Sequence, residues 1–124
     1  MDGAVKDPAK LRRLGQISAL LNDAKMQILH RAAKARQDSL DRLAALDAPQ
    51  NTVDLAALAA EEVALRYAVW ADQRRSEINM GLARQTAAWH YAQQQAALAF
   101  GRDQVVQGLA KAPKAPSRRD VEYP

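Results

Sequence analysis

The chain has no cysteine, and its 124 residues include only two Trp, three Tyr, one Phe and twelve β-branched side chains. Lack of cysteine excludes disulfides, thiolate nucleophiles and zinc-thiolate centres, and it fits a reducing, cytoplasmic setting. Scarcity of branched and aromatic residues argues against any sheet-based fold, because strands draw on those side chains. No charged start leads into an apolar run, and no stretch approaches the roughly 20 apolar residues of a membrane span, so neither a signal peptide nor membrane insertion is expected. The five glycines stand alone and none precedes Lys, which excludes a phosphate-cradling loop. The two histidines, His30 and His90, have no carboxylate three or four residues away, so the helical metal pattern of Glu-x-x-His is not met. These absences predict no catalytic, cofactor-binding or metal-binding residues, and hence no enzyme.

What is abundant is alanine, at 27 residues. That composition suits long helices packed closely through small side chains. Charge is mixed: 18 Lys and Arg against 14 Asp and Glu give +4 without any basic block. A nucleic-acid binder concentrates cations on one face, so an even mixture disfavours nucleic acid as the partner.

Asp7-Pro8 predicts a helix start, with Asp as N-cap and Pro at the first helical position. From there Leu14, Ile17, Leu21, Ala24, Ile28, Ala32, Ala35, Ser39, Leu43 and Leu46 recur in steps of three and four, with Leu11, Leu20, Leu29 and Leu40 widening the stripe, which predicts a helix over 8–47 of about 60 Å. Asp47-Ala48-Pro49-Gln50-Asn51-Thr52 breaks it, and so short a turn (48–52) sends the chain back antiparallel. A second helix is expected over 53–110. Within it Ile78, Leu82, Gln85, Trp89, Ala92, Ala96, Ala99, Asp103 and Val106 alternate steps of four and three, the spacing of a coiled-coil seam. The polar run from Asp72 to Glu77 reads as a slip of that seam or a solvated bend. Residues 1–7 and the proline-bearing tail 112–124 are expected to be flexible and disordered.

The expected fold is therefore all-α, an antiparallel two-helix hairpin (8–111) with a longer second helix. If the turn is tight, the excess falls at the far end, and the stretch from Trp89 to Leu109 overhangs the first helix. There the seam alanines would leave a slender end free for another protein. Tyr67 and Trp70, one turn apart, form either a core cluster or a docking face, with core packing favoured. Arg74 and Arg75 beside Trp70 make an interaction patch or an ordinary solvated face. Trp89 reads first as packing.

Near the end of the second helix stands Ala96-Ala97-Leu98-Ala99-Phe100-Gly101-Arg102, and the first helix opens with Leu11-Arg12-Arg13-Leu14. With the length and the hairpin, this Ala-x-x-x-Phe-Gly-Arg ending resembles the small coiled-coil stalk proteins of flagellar and type III secretion export systems. The resemblance implies a non-enzymatic stalk or adaptor whose partners are an export ATPase or an export-gate component. The partner-binding residues expected on these readings are Trp70, Arg74, Arg75, Trp89, Ala96, Phe100 and Arg102. A second expectation, from another class, is a small nucleic-acid-associated protein, dimeric as a four-helix bundle, presenting Arg12, Arg13, Arg31, Arg66, Arg74 and Arg75. A homodimer is compatible with both, because an isolated hairpin leaves apolar surface uncovered.

Overall fold

In a computed structural model, which describes residues 7–48 and 57–111, the chain forms two helices, α1 (Pro8–Asp47) and α2 (Ala57–Lys111). No strand occurs among the described residues. The start of α1 is capped as its sequence implies. The Ala9 backbone N–H donates to Asp7 Oδ1 at 3.0 Å, the Leu11 N–H donates to the Asp7 carbonyl at 3.0 Å, and Pro8 fills the position where a missing N–H costs nothing. The second helix, expected from residue 53, is described from Ala57. The expected flexible segment before Asp7, the turn after Ala48 and the tail 112–124 lie outside the described residues.

The helices are antiparallel. Gly15 meets Gln107, Ser18 meets Asp103, Arg36 meets Thr86, Ser39 meets Gln85 and Asp47 meets Arg75, so each step forward along α1 is a step back along α2. Packing divides into two units, Met1–Met26 with Gln95–Pro124, and Gln27–Gln94.

In the unit Gln27–Gln94, α2 buries Ala71, Ile78 and Ala92, with Arg75, Leu82, Gln85 and Trp89 half-buried between them. α1 turns Leu29, Ala32, Arg36, Ser39, Leu43 and Leu46 inward at the same alternating steps, and only Ser39 of these is fully buried. Its hydroxyl donates to Gln85 Oε1 at 2.5 Å, which satisfies a polar group that burial would otherwise penalise. The polar run 72–77 brings no slip, contrary to the sequence expectation. Ala71, Arg75 and Ile78 keep the step, and Arg75 holds the seam position because its guanidinium reaches Asp47 at 2.7 Å and Asp72 at 2.8 Å. A search for apolar residues alone overlooks an arginine in that place.

In the other unit, α2 buries Ala96 and Ala99, and α1 presents Gly15, Ser18 and Asn22 with Leu11 and Lys25 half-buried. Ser18 Oγ donates to Asp103 Oδ1 at 2.9 Å. Gln107 Nε2 donates to the Gly15 carbonyl at 3.1 Å and to Asp103 Oδ1 at 3.2 Å. Small and polar residues therefore form the seam here. The stripe expected to face inward does not: Leu14, Ile17, Leu21 and Ile28 are 47, 60, 42 and 49% exposed. Each lies one residue before a seam position, which turns it to the flank of α1.

The expected overhang at 89–109 is also corrected. α2 is longer, at 55 residues against 40, but the excess lies at its start. The last residue of α1, Asp47, bonds Arg75, and the Tyr67 hydroxyl donates to the Leu46 carbonyl at 3.4 Å, whereas Asp103 and Gln107 are held against α1. The polar pairings fix this register, so Ala96 and Ala99 are covered and residues 61–66 are exposed.

Candidate protein interaction surface

Between Ala59 and Trp70, α2 presents Val63, Leu65, Val69 and Trp70 at 50, 67, 54 and 52% exposure. Each half-exposed side chain of this size has about 1 kcal/mol of burial still to gain. Val63 and Trp70 are seven residues apart and share one face of the helix. Tyr67 tilts against Trp70, with ring centroids 5.6 Å apart and planes at 40°. Tyr67 is half-buried with its hydroxyl on the Leu46 carbonyl, whereas Trp70, one residue before the buried Ala71, is turned to the flank of α2 and is not the core residue favoured from the sequence. The indole instead walls an open depression with Gln73, Arg74 and Glu77. Arg74 Nη1 donates to Glu77 Oε2 at 3.2 Å, a surface pair that holds the guanidinium beside the indole without withdrawing it from solvent. An aromatic ring with an arginine at the rim of a shallow depression is the composition typical of energetic anchors in protein interfaces.

The other expected site residues are dispersed. Arg75 is engaged with Asp47 and Asp72, on the side of α2 that meets α1. Trp89 is half-buried in the seam, with the Arg36 guanidinium 4.8 Å from its ring centre and the His90 ring at 5.0 Å, which makes it a packing residue. Ala96, 3% exposed, lies under α1 and is closed to a partner while the hairpin is intact. Phe100, 53% exposed, and Arg102 are on the surface of the unit in which Ala96 and Ala99 are buried. No protein-family pattern, curated protein or solved structure matches this chain. Its surfaces must therefore be judged on their own chemistry.

A second surface escaped the sequence reading. In the unit of Met1–Met26 and Gln95–Pro124, α1 exposes Leu14, Ile17 and Leu21, and α2 exposes Leu98, Val105 and Leu109 at 54, 64 and 49%. A signal was present: Leu98 and Val105 are seven residues apart, as are Leu14 and Leu21, a repeat parallel to the seam. Along α2, Ala97, Leu98, Gly101, Arg102, Val105 and Val106 line a shallow apolar depression. Among the described residues no group of three or more His, Asp or Glu converges. No helix of the described residues is long and apolar enough to cross a membrane.

Proposed function

We propose that the chain is a non-enzymatic helical adaptor that binds partner proteins through the start of α2, around Trp70. The observation that carries this reading is a half-exposed tryptophan, flanked by Arg74, on the flank of α2 just before the buried seam residue Ala71. Exposed indole on a helix without a partner is costly to leave in water and well suited to a hydrophobic anchor. Within this reading, a stalk in flagellar or type III export, beside an export ATPase or gate component, remains the specific candidate, supported by the Phe100-Gly101-Arg102 ending. Burial of Ala96 and Ala99 moves the free helical end of such a stalk from 89–109 to the start of α2.

The nucleic-acid reading has less support. Of the six arginines it would use, Arg66 is paired with Glu62 at 2.8 Å, Arg74 with Glu77, and Arg75 with Asp47 and Asp72. Cations already facing carboxylates offer less net charge to phosphates. A photo-crosslinking amino acid in place of Trp70, used in the producing cells, tests the proposal. The expected result is an adduct with a different protein that is absent when the probe replaces the exposed Lys34. An adduct with RNA or DNA, or equal labelling from both positions, overturns it.

A further inference from the structure

We propose that a second copy of this chain covers the face formed by Leu14, Ile17 and Leu21 of α1 with Leu98, Val105 and Leu109 of α2, giving a two-fold pair of hairpins. The six residues form one surface because of how antiparallel helices meet. Gln107 lies just beyond the seam residue Val106, and its amide donates to the Gly15 carbonyl. Arg12, Gln16 and Ala19 line a depression with the same Gln107. These contacts put the edges following the seam residues together on one side of the unit. The edges preceding the seam residues then adjoin on the opposite side, and all six apolar residues lie on those edges.

Three features of this face favour a second copy over an unlike partner. First, it carries both halves of a fit. α1 offers a ridge of large side chains, Leu14, Ile17, Leu20 and Leu21, and α2 offers the depression at Ala97, Leu98, Gly101, Arg102, Val105 and Val106. A two-fold axis sets each copy's ridge into the other's depression, so one contact satisfies both. Gly101 keeps the depression open, and a Cβ added there would meet nothing within 4 Å in its own chain. Second, the area suffices. Leu14, Ile17, Leu20 and Leu21 of the ridge, Leu98 and Val105 of the depression and Leu109 beside it expose roughly 700 Å² per copy, close to the ~800 Å² per partner of a stable interface. Third, the charged residues on these edges are Lys10 and Arg102, and the long stem of each can lie along the interface with its charged head in water. The hairpin also has reason to pair: its buried apolar side chains, among the described residues, are four alanines and Ile78.

This pairing uses a surface apart from Trp70 and goes beyond the proposed function, so each can fail without the other. Sedimentation equilibrium or light scattering on the full chain across a dilution series from about 100 µM tests it. The parent should run at twice the 13.6 kDa chain mass at the upper end. The double variant Ile17→Glu/Val105→Glu should weaken the pair by at least about 100-fold, with its helical circular dichroism retained. Gly101→Leu guards against a variant that merely misfolds. Its Cβ meets nothing within 4 Å in its own chain, the rest of the side chain projects into the open depression, and leucine improves helix propensity, so it should be folded at least as well as the parent yet weaken the pair about 10-fold or more. Leu65→Glu, on the other unit, should leave the mass unchanged. A monomeric parent at about 100 µM, or Gly101→Leu pairing as tightly as the parent, overturns the proposal. Loss of the pair in Leu65→Glu alone would do the same, by assigning the contact to the start of α2.

Discussion

Ala99 offers the sharpest test of where the seam ends, because a free helical end and a closed seam treat it in opposite ways. It is 4% exposed, one turn before Asp103 on α2, in the layer next to the Ser18–Asp103 pair. The adjacent inward residue of α1 is Asn22, whose side-chain oxygen is buried without a hydrogen-bond partner. Ala99→Asp therefore brings a short carboxylate, unable to reach solvent, into a layer that already holds one unmatched acceptor. Burial of an uncompensated polar group costs about 1–3 kcal/mol. Like charge one turn from Asp103 adds a few tenths of a kcal/mol, and lower helix propensity adds up to about 0.7 kcal/mol. The sum is about 3 kcal/mol. Ala87→Asp, at an exposed position of the same helix, carries only the propensity part and serves as the reference. The difference, about 2 kcal/mol or more, corresponds to a gap of roughly 10–15 °C in melting temperature for helical units of this size. Thermal and urea melts followed at 222 nm, at one protein concentration because association would shift the midpoint, measure it directly. Equal losses in the two variants would refute the assignment of Ala99 to a closed seam and restore a free C-terminal stretch of α2.

Other consequences follow from the same packing. Asn22→Leu removes the orphaned acceptor from the seam and should stabilise the chain by about 1–3 kcal/mol, seen as a higher urea midpoint; a lower midpoint would mean that the oxygen has a partner after all. Gly81, inside α2 with no atom within 4 Å of an added Cβ, should accept Ala with a gain of about 1 kcal/mol. A loss of stability on Gly81→Ala would show that something packs against that position. A double-mutant cycle on Arg75 and Asp47 should give a coupling below about 1 kcal/mol that fades in high salt, since these side chains are 35 and 68% exposed. A salt-insensitive coupling of several kcal/mol would instead make this pair a principal lock on the register.

The seam of α2 was legible from residue numbers alone, since Ile78, Ala92, Ala96 and Ala99 are buried where the heptad puts them and Gln85 and Asp103 carry the cross-helix hydrogen bonds. The corresponding stripe on α1 was legible only in its second half, through Ala32, Ser39, Leu43 and Leu46. In the first half, leucine and isoleucine at 14, 17, 21 and 28 are the obvious inward set, and they are the ones left outside. Hydrophobicity chooses a face only when a helix has one apolar face. The first half of α1 has two usable faces, and the small polar one matches the Asp103 and Gln107 that α2 brings to it. Arg75 was hidden for a related reason: its place on the seam depends on the carboxylate of Asp47, 28 residues away in the chain.

The sequence by itself determined that the chain is helical, where α1 starts and stops, and which residues of α2 share a seam. Each of these is fixed by local rules: alanine's propensity, the Asp7-Pro8 cap and a repeat along one helix. Tertiary structure decided the offset between the helices, and with it everything that bears on binding. Periodicity within a helix is unchanged when the helix slides along its partner by a heptad, so it cannot say which end projects. That choice rests on pairs far apart in the chain, Gly15 with Gln107, Ser18 with Asp103, Ser39 with Gln85 and Asp47 with Arg75. These pairs cover the alanines of the late seam and leave Trp70 and the leucines of early α1 facing outward.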